Sequence, residues 1–294
     1  MTTGLIDLHI HTTASDGTMT PARMVFHAAG SGLKAVAITD HDTVDGVSEA
    51  IAAGKEAGIE VVPGVEIGVD YPGEMHILGY YIDHKNSGLA RGLSCLRRYR
   101  EERNPMMIEK LRELGFDITL EEVAGIAGGN VIGRPHFAAL LTRKGYTADN
   151  REAFDRYLGA GKPAYVKKDR LSPQDGIKMI IEAGGIPVLA HPRYLRIRED
   201  HSLKELIHEL RGFGLKGIEV FYPEHTPEET ERFYQLASAT GLLVTGGTDF
   251  HGTNKPGLKI GTGPGDLRVR YSLLEKLKKN IPNPSKNNGS LRIY

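Results

Sequence analysis

Five short clusters of histidine and carboxylate, each placed beside a short apolar run, constrain this chain more than any other feature. They are His9-Ile10-His11 with Asp16 just after, Asp40-His41-Asp42, Glu66 with His76, His191-Pro192, and Asp249-Phe250-His251. The apolar runs read as strands, and in a strand the side chains at i and i+2 share a face. His9 and His11 can therefore reach one ion together, as can Asp249 and His251. Solvated loop histidines would explain either pair alone, but not several pairs that all sit at strand ends. Ligands spread over so many strand ends converge only if the sheet curls round, which favours a β/α barrel with its site on one rim. The chemistry expected there is a multinuclear, hydrolytic metal site.

Strand and helix signals alternate along the chain. Strands are predicted at Leu5–Ile10, Ala35–Thr39, Ile59–Val65 and Met75–Ile82, and again at Ile186–Ala190, Gly217–Phe221 and Leu242–Gly246. Helices are predicted from Thr20-Pro21 to Ala29, Val47 to Ala57, Pro173 to Ala183, Leu203 to Phe213 and Pro227 to Thr240. Pro at an early helical position costs no hydrogen bond, and Gly58 and Gly184 mark stops. This order implies an α/β fold on a parallel sheet. The stretch 101–163 has a different texture, charged and helix-rich, with Thr119-Leu120-Glu121-Glu122 resembling a helix start. The expected organisation is a discontinuous barrel over 1–100 and 164–281, a small helical insertion domain over 101–163 at the barrel mouth, and a disordered tail over 282–294.

Composition excludes several classes. Lys+Arg and Asp+Glu are both 37, so no global charge draws the protein to nucleic acid, and phosphate affinity must be local. The single cysteine, Cys95, excludes an internal disulfide and a thiolate zinc site, and reads as a small apolar helix residue. No stretch approaches the roughly 20 apolar residues of a membrane span. The start runs straight into a strand without a leader-like segment, so a cytoplasmic location is expected.

Within the clusters, His41 is the expected ligand of its group, with Asp40 or Asp42 orienting a histidine from behind. Glu66 is the one well-placed glutamate, and its two oxygens can bridge two ions. Nitrogen and oxygen donors without thiolate suit manganese, iron or zinc.

The motifs Asp7-Leu8-His9-Ile10-His11, Thr39-Asp40-His41-Asp42, Pro63-Gly64-Val65-Glu66, Ala190-His191-Pro192 and Gly247-Thr248-Asp249-Phe250-His251 resemble the PHP (polymerase and histidinol phosphatase) family of metal-dependent phosphoesterases. The resemblance spans nearly the whole chain outside the insertion and tail. It implies a distorted seven-stranded β/α barrel and two to three divalent metals, manganese by analogy. His9, His11, Glu66 and Asp249 would hold the first ion, Glu66 with His76 and His191 the second, and Asp16, His41 and His251 the third. Where many family members carry a histidine this chain has Asp16, a harder ligand. Glu66, His191 and Asp249 are the residues expected to carry catalysis. Two ions about 3.5–4 Å apart would favour a bridging hydroxide that attacks phosphorus in line.

Substrate choice is expected to lie in Gly133-Arg134-Pro135-His136 and in Arg193 near the same rim. Arginine binds phosphate through a planar fork, and a helix start adds free N–H groups. The bland reading makes Arg134 a surface residue and His136 a cap. The insert with this segment is similar to one branch of the family, and implies removal of the 3′-phosphate from a 3′,5′-bisphosphonucleotide. Short single-stranded RNA attacked from its 5′ end would use the same site. Tyr222 is read either as a ring for base stacking or as a loop filler, and His27, His84, His201 and His208 as solvated or core histidines. Lys167-Lys168-Asp169-Arg170 is read as a solvated face. The rival readings are a histidinol-phosphate-type phosphatase, an inactive metal-binding regulator, and a carbon–nitrogen hydrolase. The last would need a metal-bridging modified lysine, and no lysine ends a strand among the clusters.

Overall fold

The computed structural model describes residues 4–127, 131–167 and 171–282. The expected disordered tail beyond Pro282 and most of the Lys167–Arg170 run lie outside these residues. The elements follow in order β1 (Ile6–Ile10), α1 (Pro21–Gly30), β2 (Ala35–Ile38), α2 (Val47–Ala57), β3 (Glu60–Val69), β4 (Met75–Tyr80), α3 (Ser87–Glu113), α4 (Leu120–Ala127), α5 (Arg134–Arg143) and α6 (Asn150–Ala153). They continue as α7 (Pro173–Glu182), β5 (Ile186–Leu189), α8 (Asp200–Phe213), β6 (Gly217–Phe221), α9 (Pro227–Thr240), β7 (Leu243–Gly246) and α10 (Tyr271–Lys278). Local chemistry starts the helices as the sequence suggests. Thr20, Ser172 and Thr226 cap α1, α7 and α9 with side-chain oxygens, each followed by Pro.

The seven strands pair in sequence order, and the sheet curls until the end of β7 returns to β1, joined by the Ile10–Phe250 bridge. Gly247 makes this closure possible. A Cβ there would lie 2.4 Å from the backbone nitrogen of His9, too close for any side chain. The strand pairing corrects one expectation: β4 runs antiparallel to both β3 and β5. Only residues 70–74 separate β3 from β4, and so short a link permits a hairpin but not a parallel crossover.

Strand alternation sorts the side chains into two layers. Ile6, Leu8, Ala35, Ala37, Val62, Leu78, Tyr80, Val188 and Ala190 form one buried cluster with Leu274 and Leu277 of α10, which fills the barrel interior. Their neighbours Val65, Ile67, Met75, Ile77, Leu189, Ile218 and Val220 face outward against α7, α8 and α9. By the same period of two, Glu66, His76 and Glu219 belong to the inner face. A separate cluster lies in the region after the first half of α3, built from Met107, Leu111, Val123, Phe137, Leu141 and Leu158 among others. α3 joins the two, since its early residues Leu89, Leu93 and Leu96 pack on the barrel and its late ones belong to the second core. Pro105 lies within α3 between them.

Candidate metal centre

Each motif delivers its side chains to the same rim by its own local device. After β1, the carboxylate of Asp40 accepts hydrogen bonds from Thr12 N, Thr12 Oγ1 and Ser15 Oγ at 2.6–2.7 Å. That fixes the turn presenting Asp16, so Asp40 holds a turn and not a histidine, contrary to the sequence reading. Gly17 is required in this turn because a Cβ would sit 2.2 Å from the carbonyl oxygen of His11. Asp42 pairs with Arg100 at 2.6 Å. His41 lies beside Glu66 through a parallel bridge.

Glu66 corrects another expectation, since it lies inside the ten-residue β3 and not at its end. It still reaches the rim because β3 runs on past β2 to pair with β4. His76 stands at the beginning of β4, opposite Gly68, and shares the rim because β4 is antiparallel. His191 and Asp249 follow β5 and β7 with φ of 23° and 54°, a left-handed backbone that non-glycine residues seldom adopt and that clusters at functional sites.

The result is a converging set in which Glu66 is central. Its Oε2 lies 3.4 Å from His9 Nε2, 3.3 Å from His11 Nε2 and 2.9 Å from His41 Nδ1. Its Oε1 lies 2.8 Å from His76 Nδ1 and 3.0 Å from His191 Nε2. Asp249 Oδ1 stands 3.1 Å from His11 Nε2 and 3.5 Å from His9 Nε2. Asp16 lies 3.2 Å from His251 Nε2, 3.7 Å from His11 Nδ1 and 3.8 Å from His41 Nε2. All nine ligands expected from the sequence thus meet in one place. Three groupings have metal-binding spacing: His11 with Asp16, His41 and His251; His9 with His11 and Glu66; and His41 with Glu66 and His76.

The donors fit cations better than they fit one another. His9 Nε2, both ring nitrogens of His11, His41 Nδ1, His191 Nδ1 and Glu66 Oε2 are buried and have no hydrogen-bond partner. Buried polar atoms without partners are costly, and so many in one place point to bound ions. The electrostatics agree. Burial opposes the ionisation of Glu66, Asp16 and Asp249, yet neighbouring positive groups outweigh it and hold all three well below the usual carboxylate range. Burial likewise pulls the His9 ring down, and Glu219, Glu66 and Asp249 outweigh it and hold it well above its usual value. The pocket is built for positive charge.

Three residues support the ligands in roles that the sequence reading did not assign. Glu219 is fully buried, accepts the His191 N–H at 2.8 Å and pairs with His9 Nδ1 at 3.0 Å. It orients two ligands from behind. Glu66 is therefore not the one well-placed glutamate. An acid inside the apolar run Gly217–Phe221 was the available signal. Tyr222 is 3% exposed and donates to Asp249 Oδ2 at 3.0 Å, so it is neither a base-stacking ring nor a loop filler. Lys255 pairs with the same oxygen. The place of Tyr222 just beyond β6 marks it for the rim without pointing to Asp249, and nothing in the sequence pattern singles out Lys255.

Among the residues expected to bind substrate, Arg134 begins α5 and lines a cleft of about 120 Å³ with Arg100, Arg103, Asp16, His41 and His76. His136 Nδ1 accepts the Gly133 N–H at 3.0 Å, and its Nε2 is buried without a partner. It borders a neighbouring cavity of about 70 Å³ with Asp16, His251 and Lys255. Burial holds the ring of His136 below its usual pKa, hence neutral, which leaves the proton on Nε2. Arg193 is not brought to the cleft. Its guanidinium pairs with Glu229 at 2.8 Å and with the carbonyl of Glu224. His27, His84, His201 and His208 are exposed or half-buried and lie outside the cluster. His225 is buried, its Nδ1 bonded to the Val220 carbonyl at 2.8 Å.

The PHP domain model matches residues 7–160. A 3′,5′-nucleoside bisphosphate phosphatase of Chromobacterium violaceum is 35% identical over 266 residues, covering 87% of this chain and 90% of the relative. A 5′-3′ exoribonuclease of Haemophilus influenzae is 34% identical over 247 residues, covering 83% and 89%. Among solved structures, an amidohydrolase from Chromobacterium violaceum with bound sulfate superposes with a TM-score of 0.84 at 33% identity, over 96% of this chain and 99% of that one. No helix among the described residues is long and apolar enough to cross a membrane.

Proposed function

Because this chain belongs to the PHP domain family, we propose that it is a metal-dependent phosphoesterase removing the 3′-phosphate of 3′,5′-bisphosphonucleotides. The same site would take short single-stranded RNA from its 5′ end. The observation that carries this reading is one cleft lined by two kinds of group: Asp16, His41 and His76, which with bound ions would form one anion station, and Arg134 with Arg103 and the Asp42-paired Arg100, which would form a second. A monophosphate needs only the first station, whereas a bisphosphate uses both. The named activities of the two relatives, on a bisphosphonucleotide and on RNA, support the assignment.

The residues divide the work. His9, His11, Glu66 and Asp249 would hold one divalent ion, Glu66 with His76 and His191 a second, and Asp16, His41 and His251 a third. Manganese is the proposed metal by analogy with similar proteins, and the nitrogen and oxygen donor set suits it as it suits iron or zinc. Bound divalent ions act as Lewis acids toward phosphoryl oxygens and lower the pKa of water. Glu66 stands between the two halves of the site, contacting three histidines through one oxygen and two through the other. Glu219 holds the His9 ring and the His191 backbone in place. Arg134 presents a planar fork to the second phosphate, and His136 an Nε2–H donor to the neighbouring cavity that it borders with Asp16 and His251. The segment 101–163 is proposed as an insertion domain that supplies these two groups over the barrel mouth, and the cytoplasm as the location, where such nucleotides occur.

Phosphate release with Mn²⁺ from adenosine 3′,5′-bisphosphate, 3′-AMP, 5′-AMP and histidinol phosphate, measured side by side, tests the reading. Strong preference for the bisphosphate is expected. Activity confined to histidinol phosphate would overturn the substrate, and activity on none of them would favour a regulatory metal-binding role.

A further inference from the structure

The two oxygens of Asp249 face different surroundings. Oδ1 is turned to the rim, 3.1 Å from His11 Nε2 and 3.5 Å from His9 Nε2. Oδ2 takes two donors of its own, the Tyr222 hydroxyl at 3.0 Å and the Lys255 ammonium. Both oxygens of Glu66, by contrast, meet ligand histidines. Asp249 thus offers one oxygen to the rim where Glu66 offers two.

The backbone around Asp249 is held on both sides. Thr248 donates from its N–H and its hydroxyl to the buried Asp7, and the Phe250 carbonyl accepts the His11 N–H at 2.9 Å. Between them the left-handed φ of 54° at Asp249 persists, as such a conformation does only where its surroundings fix it. The Asp249 carbonyl lies 2.7 Å from His251 Nδ1. A carbonyl only accepts, so the proton sits on Nδ1 and leaves His251 Nε2 free to act as a ligand beside Asp16. Two of the three ligand groups therefore depend on how Asp249 sits. What the backbone leaves free is the turn of the carboxylate about its own bond, and an unrestrained carboxylate can give an ion both oxygens. Tyr222 blocks that turn from a buried position, with its ring 5.6 Å from that of His191. Lys255 blocks it from the more open side, and its positive charge repels a cation from Oδ2.

We propose that Tyr222 and Lys255 are positioning residues, a clamp that restricts Asp249 to a single donor oxygen for the ion it shares with His9 and His11. The inference rests on reading the rim as a metal centre. It adds that a tyrosine and a lysine outside the ligand set decide how one ligand binds, and so keep a coordination position that a two-oxygen carboxylate would fill.

The test is titration of the metal-free protein with Mn²⁺, followed by calorimetry and by electron paramagnetic resonance, in the wild type, Tyr222→Phe, Lys255→Met and Lys255→Arg. Tyr222→Phe keeps the packed ring, and Lys255→Met keeps the alkyl stem. Each should lower Mn²⁺ affinity by about tenfold or more, as expected for partners that orient a ligand. Each should also alter the fine structure of the resonance, because a second oxygen at the ion changes its ligand field. Lys255→Arg should restore most of both. Turnover of adenosine 3′,5′-bisphosphate and of an aryl phosphate should fall by the same factor in the first two variants. Unchanged affinity and an unchanged spectrum in Tyr222→Phe overturn the clamp, since a packing role would leave both alone. Tighter binding in Lys255→Met, or a fall confined to the bisphosphate, overturns the role of Lys255, which would then oppose the ions or contact substrate. A wild type that binds no Mn²⁺ sinks the metal-centre reading itself, whereas a wild type that binds Mn²⁺ no better than its variants sinks the clamp alone.

Discussion

The metal rim and the cleft beside it are neighbours built on opposite principles. The rim is dry: His9, His11, Glu66 and His191 are at most 3% exposed, and each is locked by strand pairing or by a buried partner such as Glu219. The cleft shares Asp16, His41 and His76 with the rim, and its other walls carry long side chains, Arg100 and Arg103 of α3, Arg134 of α5 and Phe154, from elements that also contribute to the second hydrophobic core. A buried, preorganised rim suits chemistry, because charge is strongest where water is excluded and nothing must reorganise. A cleft on a separate core suits choice of substrate, because its residues can change without disturbing the rim. Substitutions in the rim should therefore affect every phosphoester, and those in the cleft should change the ranking among them.

The sharpest way to break this contrast is Glu66→Gln, which removes the charge shared by both halves of the rim. Turnover of all phosphoesters should fall by on the order of 10²–10³-fold with the fold intact by circular dichroism. Selective loss on one substrate would show that the rim also chooses. Glu219→Gln should weaken metal affinity by roughly 10–100-fold, read by titration with Mn²⁺, because the His9 ring loses the carboxylate that orients it. Unchanged affinity would make Glu219 a packing residue.

Arg134→Ala should lower the ratio of kcat/KM for the bisphosphate over that for an aryl phosphate by about tenfold, in line with hydrogen bonds to charged groups worth ~1.5–3 kcal/mol. An equal fall on both substrates would place Arg134 with the rim. Chelation should lower the melting temperature of wild type and Arg134→Ala by the same several degrees, since ligand binding stabilises by mass action. The drop should be smaller for Glu66→Gln, as measured by calorimetry. Arg193→Ala should have the smallest effect. Its partner Glu229 is partly exposed, and such pairs contribute ~0.2–1 kcal/mol. A loss of bisphosphate preference like that of Arg134→Ala would return Arg193 to the substrate side.

The same contrast explains what could be read in the sequence. His9-Ile10-His11 was legible because a strand repeats every two residues, so local spacing already places both side chains on one face. Asp249-Phe250-His251 lies beyond β7 with Asp249 in left-handed backbone, and its side chains part, Asp249 toward His9 and His11 and His251 toward Asp16. Most strand and helix limits were legible for the same reason, with caps such as Thr226-Pro227 marking the starts. The direction of β4 was missed although its cause, a five-residue link, was in plain view. Glu219 was passed over because a single acid in a strand has no local partner, and its partners His9 and His191 lie 210 and 28 residues away.

On its own, then, the sequence determined an alternating β/α chain whose strand ends carry histidines and carboxylates, and with it the class of chemistry. Periodicity and capping act over a few residues, and these features need nothing longer. Only the tertiary structure decided that Glu66 stands between His9, His11 and His41 on one side and His76 and His191 on the other. It alone brought Lys255 and Tyr222 onto Asp249, and Arg100, Arg103 and Arg134 into one cleft. Those juxtapositions depend on how far the sheet curls and where the second core docks on α3, and no local stretch of sequence encodes either.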